Sequence, residues 1–428
     1  MLVVKKTKIG YIGLGRRGKA VLRDCFSRMA DVEVAVLCDT YQPHLEEGQE
    51  ILKKNGGYEA VLTNDDNVIF DDPTIDAVVI MTGWDDRGEL VKKSLYSGKY
   101  TAVEVGCVFR IEECFEILEV YKETKTPLML LENCCYGRRE MMALNLADKG
   151  MFGEIVHCDG AYRHYLNKEE LLREEFKEEF GEMAHHYRID SYVTRNCENY
   201  PTHELGPISK VLKLNRGNRM LTLSSFASKA RGLKQYAKDY LGEDSYYANI
   251  DYAQGDIVTT IITCENGETI TLCLDTTLPR PYYSRDFTVR GTKGMCTEHR
   301  KVVFFDGMEE RIENNEQEMM EKYDHPLHAE YEKLGVAAGH GGMDWLVCRA
   351  FVESVRNGTD TPIDVYDTLL WICIAPLSEK SIKLGGAPVE VPDFTEGKYK
   401  NREPIVEGKY CLDKVCIDES VKIFPDKE

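Results

Sequence analysis

Tyr200-Pro201-Thr202-His203 is the stretch of this chain best equipped to move a proton. An imidazole can take a hydroxyl proton while the carbon bearing that hydroxyl gives up a hydride, and Pro201 restrains the backbone that would present it. Thr202 is placed to cap the segment that follows. Two other clusters could join this chemistry: Glu132-Asn133-Cys134-Cys135-Tyr136 and Tyr162-Arg163-His164. A tyrosine serves as a base when a neighbouring cation lowers its pKa from about 10. Taken singly, Glu132 reads equally well as an exposed strand end and Tyr162 as a packed ring. The adjacent pair His185-His186 would diverge on any regular element, with no cysteine or carboxylate nearby at a zinc-site spacing, so no metal centre is expected.

The elements that would position these groups begin with Gly13-Leu14-Gly15-Arg16-Arg17-Gly18. It follows a strand, Lys8–Ile12, and precedes Val21, Leu22, Cys25, Phe26 and Met29 at helical spacing. Gly13 permits the tight turn, Gly15 lets backbone approach a pyrophosphate, and Gly18 lets the helix pack while its first amides face the anion. The next strand, Val32–Cys38, ends at Asp39, the offset at which an acid receives ribose hydroxyls. A carboxylate there repels a 2′-phosphate, so NAD is expected rather than NADP. Strands end at the rim where the nicotinamide would lie, and Glu132 closes the sixth of them.

Strand and helix patterns alternate to about residue 133: strands at 75–82, 100–105 and 127–131, helices around 90–96 and 112–123. Alternation of this kind predicts a doubly wound parallel sheet over residues 1–133. Beyond it, 155–165, 220–227, 257–264, 269–276, 286–291 and 302–305 read as strands with few long helices between them. They predict a second, α+β domain over 134–428, built on a large, open, mostly antiparallel sheet. Asn266-Gly267 marks a hairpin in which both residues tolerate positive φ. Residues 168–182 and 309–333 are charged and read as solvated helices or loops. Helical patterns return at 343–355 and 366–384, and the tail beyond Pro404 reads as extended. Gly339-His340-Gly341-Gly342-Met343-Asp344 either caps the helix it precedes or brings His340 to the pocket.

With 428 residues and 43% hydrophobic content the chain suits a two-domain globular enzyme. A net charge of -19 argues against nucleic acid and anionic membrane surfaces as partners. Fifteen cysteines without a CxxC pair read as reduced thiols. The first strand begins too early for a signal peptide, and the longest apolar run, Ala77–Met81, is far too short for a bilayer, so a cytoplasmic protein is expected.

The order of cradle, Glu104-Val105-Gly106, Glu132-Asn133-Cys134-Cys135-Tyr136 and Tyr200-Pro201-Thr202-His203 resembles the Gfo/Idh/MocA oxidoreductases, and within them the NAD-dependent α-N-acetylgalactosaminidases of glycoside hydrolase family 109. Further blocks carry the likeness along nearly the whole chain, among them Asn215–Arg219, Ala230–Leu233, Asp275–Tyr282, His340–Asp344 and Pro362–Asp367. Simple sugar dehydrogenases of this superfamily place a catalytic lysine where Val105 stands.

The resemblance implies a redox-neutral glycosidase: the sugar C3 hydroxyl is oxidised, C2 is deprotonated, the C1 substituent is eliminated, water adds, and C3 is reduced again. It implies His203, Tyr200 and Tyr162 as catalytic groups, with Tyr162 favoured as the C2 base. Glu132, Arg188, Tyr282 and His340 fall to the substrate, and Gly13, Gly15, Arg16, Arg17, Gly18, Asp39, Thr82, Trp84 and Glu104 to NAD. Two departures stand out: Arg87 replaces a histidine in the loop after Trp84, and Glu204 replaces a glycine beside His203, a change expected to alter the accepted sugar. The other reading is an NAD-dependent sugar or glycoside 3-dehydrogenase; a non-catalytic sugar sensor is the third. A small glycoside is the expected partner, with a homo-oligomer, dimer or tetramer, formed through the open sheet.

Overall fold

The computed structural model describes residues 6–106, 108–171, 185–308, 311–335, 338–406 and 408–413. Most of the charged 168–182 stretch, residues 309–310 and the tail from 414 lie outside them. The first sheet runs β3-β2-β1-β4-β5-β6, with β1 Thr7–Ile12, β2 Val32–Cys38, β3 Val61–Thr63, β4 Ala77–Ile80, β5 Tyr100–Val103 and β6 Leu128–Leu130. Every pairing in it is parallel. The reversal of strand order beside β1 places a crevice at the carboxyl ends of β1 and β4, where a doubly wound sheet takes its ligand. β4 is apolar throughout because helices cover both faces.

The second sheet runs β13-β12-β11-β7-β10-β9-β8-β14, with β7 Ile155–Arg163, β8 Met220–Ala227, β9 Ile257–Cys264, β10 Thr269–Asp275, β11 Thr288–Gly291, β12 Gly294–Thr297, β13 Val302–Phe305 and β14 Val389–Glu390. All its pairings are antiparallel except β7 with β10. Alternation assigns the faces: Val258, Ile262, Ile270, Leu272 and Leu274 are buried, whereas Ile261 and Phe226 are exposed on the opposite side. Between β9 and β10 only Gly267 takes positive φ, +98°, so the hairpin turns through one left-handed residue rather than two. The helical stretch 366–384 is two helices, Val365–Ile372 and Ile374–Lys383. Pro376 cannot donate to the Ile372 carbonyl, which accounts for the break.

Four helices position the site: α1 Arg16–Asp24, α2 Arg188–Thr194, α3 Thr202–Val211 and α4 Met343–Asn357. No helix among the described residues is long and apolar enough to cross a membrane.

Candidate active site

His203 lies in the first turn of α3, and its Nδ1 faces both Glu132 oxygens at 2.8 and 3.0 Å. Glu132 is 0% exposed and also accepts the Cys134 amide at 2.9 Å. Burial works to raise its carboxyl, but the His203 charge and hydrogen bond outweigh that and hold it below the ordinary carboxylate range. An ionised Glu132 accepts from Nδ1–H, so whenever the ring is neutral its lone pair lies on Nε2. Gly206 makes this approach possible, since a Cβ there would sit 3.0 Å from Glu132 Cγ and from Cys135 Sγ. Thr202 is inside the helix and caps nothing; Pro201 occupies the cap position without a side-chain bond. Pro207 withholds the amide that would have closed on the His203 carbonyl, while the Leu205 amide still closes the first turn on the Pro201 carbonyl at 3.0 Å.

Tyr162, near the end of β7, stacks on Tyr200 with ring centroids 4.3 Å apart. His203 stands edge-on to both, at 5.5 and 5.0 Å. Arg188, in the first turn of α2, lays its guanidinium over Tyr200 at 4.7 Å and Trp84 at 5.3 Å. Glu170 lies 3.7 Å from Arg188. Burial pushes the Glu170 carboxyl up to about 7, with Arg188 pulling back. Burial likewise raises the Tyr162 phenol above its ordinary value, and Arg188 opposes the rise. A cation whose charge is spread over aromatic faces is therefore the stabilising neighbour for a Tyr162 phenolate.

The cradle fits a dinucleotide on geometry. Gly13 takes φ +93°, and a Cβ there would press to 2.8 Å of the Met81 backbone. At Gly18 a Cβ would collide with the Gly13 carbonyl at 2.2 Å, whereas nothing lies within 4 Å of one at Gly15. No side chain caps α1, leaving its first amides for an anion, with Arg16 exposed beside them. Asp39 accepts the Leu14 and Tyr41 amides at 2.6 and 2.9 Å, which holds its carboxylate at the end of β2 with lone pairs left for ribose hydroxyls. Trp84 is buried with its indole N–H unpartnered among the described residues.

Arg17 points the other way. It makes a bidentate pair with Asp344 of α4 at 2.7 and 2.8 Å and a 3.3 Å bond to Glu104. Asp344 also accepts Asn133 Nδ2 at 2.7 Å and pairs with His340 at 2.9 Å. The chain Arg17, Asp344, Asn133, Glu132, His203 thus ties the cradle to the His203–Glu132 pair. Arg87, the first departure, is buried and donates to the carbonyls of Thr82, Glu104 and Val105, stitching the loops after β4 and β5 together. Replacing Asp344 with alanine should strand Arg17 and destabilise the fold by about 1–3 kcal/mol, read as a lower urea midpoint. Dinucleotide affinity should fall with it.

A family model for the C-terminal domain of glycosyl hydrolase 109 matches residues 136–401, and one for the oxidoreductase-family NAD-binding Rossmann fold matches 7–131. A glycosyl hydrolase family 109 protein of Stenotrophomonas maltophilia is 36% identical, over 95% of this chain and 93% of that protein. An alpha-N-acetylgalactosaminidase of Tannerella forsythia is 35% identical, over 93% and 88%. The chain belongs to glycosyl hydrolase family 109. This family 109 member is a glycoside hydrolase carried on an NAD-binding fold. Among solved structures, levoglucosan dehydrogenase in complex with NADH and levoglucosan shares that fold, with TM-score 0.64 at 19% identity, covering 90% of this chain and all of that one. An NAD binding oxidoreductase from Klebsiella pneumoniae gives TM-score 0.68 at 15% identity, covering 91% and 99%.

In this family 109 chain the predicted site residues separate into two groups. His203, Tyr200, Tyr162, Arg188 and Trp84 converge, and Glu132 stands behind His203 rather than facing the pocket. Tyr282 is 68% exposed, and it is its neighbour Tyr283 that packs against Tyr162 and His164. His340 takes positive φ and pairs with Asp344 beside Arg17. Arg17, Asp344 and Glu170 form contacts that local spacing does not announce, since their partners lie far off in sequence.

Glu204 lies under β7, where a Cβ on Gly160 would approach its own Cβ to 2.5 Å. It is fully buried with Glu198, and none of the four carboxylate oxygens has a hydrogen-bond partner among the described residues. Burial pushes Glu198 up to about 8, and burial together with Glu198 raises Glu204 well above the carboxylate range. Carboxyls raised on folding stabilise the protein most when protonated, so that contribution is full below their unfolded value of about 4.3 and is lost as pH rises through about 8. Glu204→Gln should therefore lose less stability than the parent between pH 5 and pH 9. Urea midpoints of the two proteins across that range check it.

Proposed function

We propose that this chain cleaves α-N-acetylgalactosaminides by elimination and re-addition, with His203 and Tyr162 as the two proton-transfer groups. The observation that carries the reading is the dyad of His203 with the buried, ionised Glu132, set edge-on to a tyrosine pair capped by Arg188. NAD, held by the cradle, Asp39 and the Trp84 loop, supplies at the sugar C3 a two-electron acceptor that returns what it takes. His203 Nε2 accepts the C3 hydroxyl proton, and Glu132 stabilises the resulting imidazolium. A ketone at C3 acidifies the C2 proton. Tyr162, as phenolate beside Arg188, removes it; the C2–H electron pair becomes the C1–C2 double bond, and the C1–oxygen bond breaks with its pair on the leaving oxygen. Water then adds at C1, its lost proton balancing the one the leaving oxygen takes up; Tyr162 returns its proton to C2, and His203 returns its proton to the C3 oxygen as that carbon is reduced again. No oxocarbenium ion forms, so no pair of opposed carboxylates is called for.

Val105, where a dehydrogenase of this fold would carry its lysine, is buried in the apolar core, which favours the glycosidase over a net oxidation. Screening aryl and natural glycosides by nuclear magnetic resonance tests the substrate: free N-acetylgalactosamine is expected, and turnover confined to another sugar would overturn the assignment. The chain's partners are proposed to be this small glycoside and its own copies, joined through the exposed sheet face bearing Ile261 and Phe226. Sedimentation of Ile261→Asp should show a smaller species than the parent.

A further inference from the structure

We propose that Glu132, Cys134 and His203 form a latent site for a thiophilic divalent cation such as Zn2+, whose occupation shuts the enzyme off. One ligand atom from each residue falls in a cluster whose members all lie within 4.8 Å of one another. A carboxylate, a thiolate and an imidazole are the donor set that zinc prefers.

Distances make the site reachable by small shifts. Tetrahedral zinc, with bonds of about 2.0–2.3 Å, separates its ligand atoms by about 3.3–3.7 Å. His203 Nδ1 and Glu132 are already at 2.8 and 3.0 Å, so the imidazole recedes slightly while a Cys134 rotation closes the third side. The cation takes the place of the proton that Nδ1 donates to Glu132, that proton moves to Nε2, and the one proton released is that of the Cys134 thiol. Thiolate and carboxylate then neutralise the charge of the ion, so no net charge is buried at a place where Glu132 is 0% and Cys134 1% exposed. His203, at 13%, is the ligand through which the ion enters.

Inhibition follows from imidazole chemistry. A neutral ring bound to metal through Nδ1 carries its one hydrogen on Nε2, the atom that has to accept the C3 hydroxyl proton. This consequence rests on the proposed role of His203; binding itself does not.

The test therefore uses two readouts on the full chain. Co2+ added to the protein should give a thiolate-to-cobalt charge-transfer band in the near ultraviolet at one equivalent, absent in Cys134→Ser. Zn2+ should inhibit glycoside cleavage reversibly, a chelator restoring it, and Cys134→Ser should need roughly 10- to 100-fold more zinc relative to its own metal-free rate. Cobalt binding without that band in the parent protein overturns the site whether or not the variant folds. Zinc inhibition unchanged in Cys134→Ser overturns it as well. The charge-transfer band without inhibition would leave the site standing and count against His203 as the base.

Discussion

Replacing His203 with alanine is expected to lower glycoside turnover roughly 10²- to 10⁴-fold, the usual worth of a positioned general base. The affected step is the first proton transfer, so dinucleotide affinity, followed by quenching of tryptophan fluorescence, should stay near that of the parent. Glu132→Gln should approach the same loss by a different route. The carboxylate now accepts from Nδ1 and leaves Nε2 with its lone pair; a glutamine can present its amide N–H to Nδ1 instead, which favours the tautomer with hydrogen on Nε2. It also removes the charge that stabilises the imidazolium. A Glu132→Gln protein that folds and turns over at the parental rate would remove the dyad from the mechanism.

Tyr162→Phe is the second large effect. The substitution keeps the ring that stacks on Tyr200 at 4.3 Å and deletes only the phenol. Cleavage should fall roughly 10²- to 10⁴-fold. Exchange of the C2 proton with solvent should vanish along with it, because no other group has been assigned to that proton. The pH dependence follows from sign. A base acts unprotonated, and burial raises the Tyr162 phenol against the pull of Arg188, so the phenolate is scarce near neutrality and kcat/KM should climb into the alkaline range. Arg188→Gln removes the lowering influence and should push that limb higher still. If Tyr162→Phe retained C2 exchange, another residue would be the base.

Much of the scaffold was legible from period and turn chemistry. β2, β8, β9 and β13 have the bounds that their alternating or continuous apolar runs predict, because each faces a core on at least one side. Where the prediction missed, tertiary contacts had decided. β12 is four residues with a glycine at its start, too short to show a period, and exists because β11 and β13 flank it. The site divides in the same way. Tyr200, His203 and Tyr162 came from motif and strand position. Arg17 looked like a phosphate contact from its place in the cradle, but its bidentate partner is Asp344, far along the chain. Glu204 stands next to His203 in sequence, but adjacent residues on a helix face different ways, and its side chain lies under β7. Tyr282 and Tyr283 show the same limit in a bend between strands, where spacing alone does not say which one turns inward.

In the proposed reaction, glycoside cleavage passes through deprotonation at C2 with no net oxidation. Incubating the protein and NAD with an aryl α-N-acetylgalactosaminide in heavy water tests it most directly, with phenol, C2 isotope and NADH followed together. Phenol release, one deuterium at C2 of the liberated sugar and no accumulating NADH are expected. Phenol release with C2 still carrying its original proton, or NADH rising mole for mole with the substrate consumed, would contradict it.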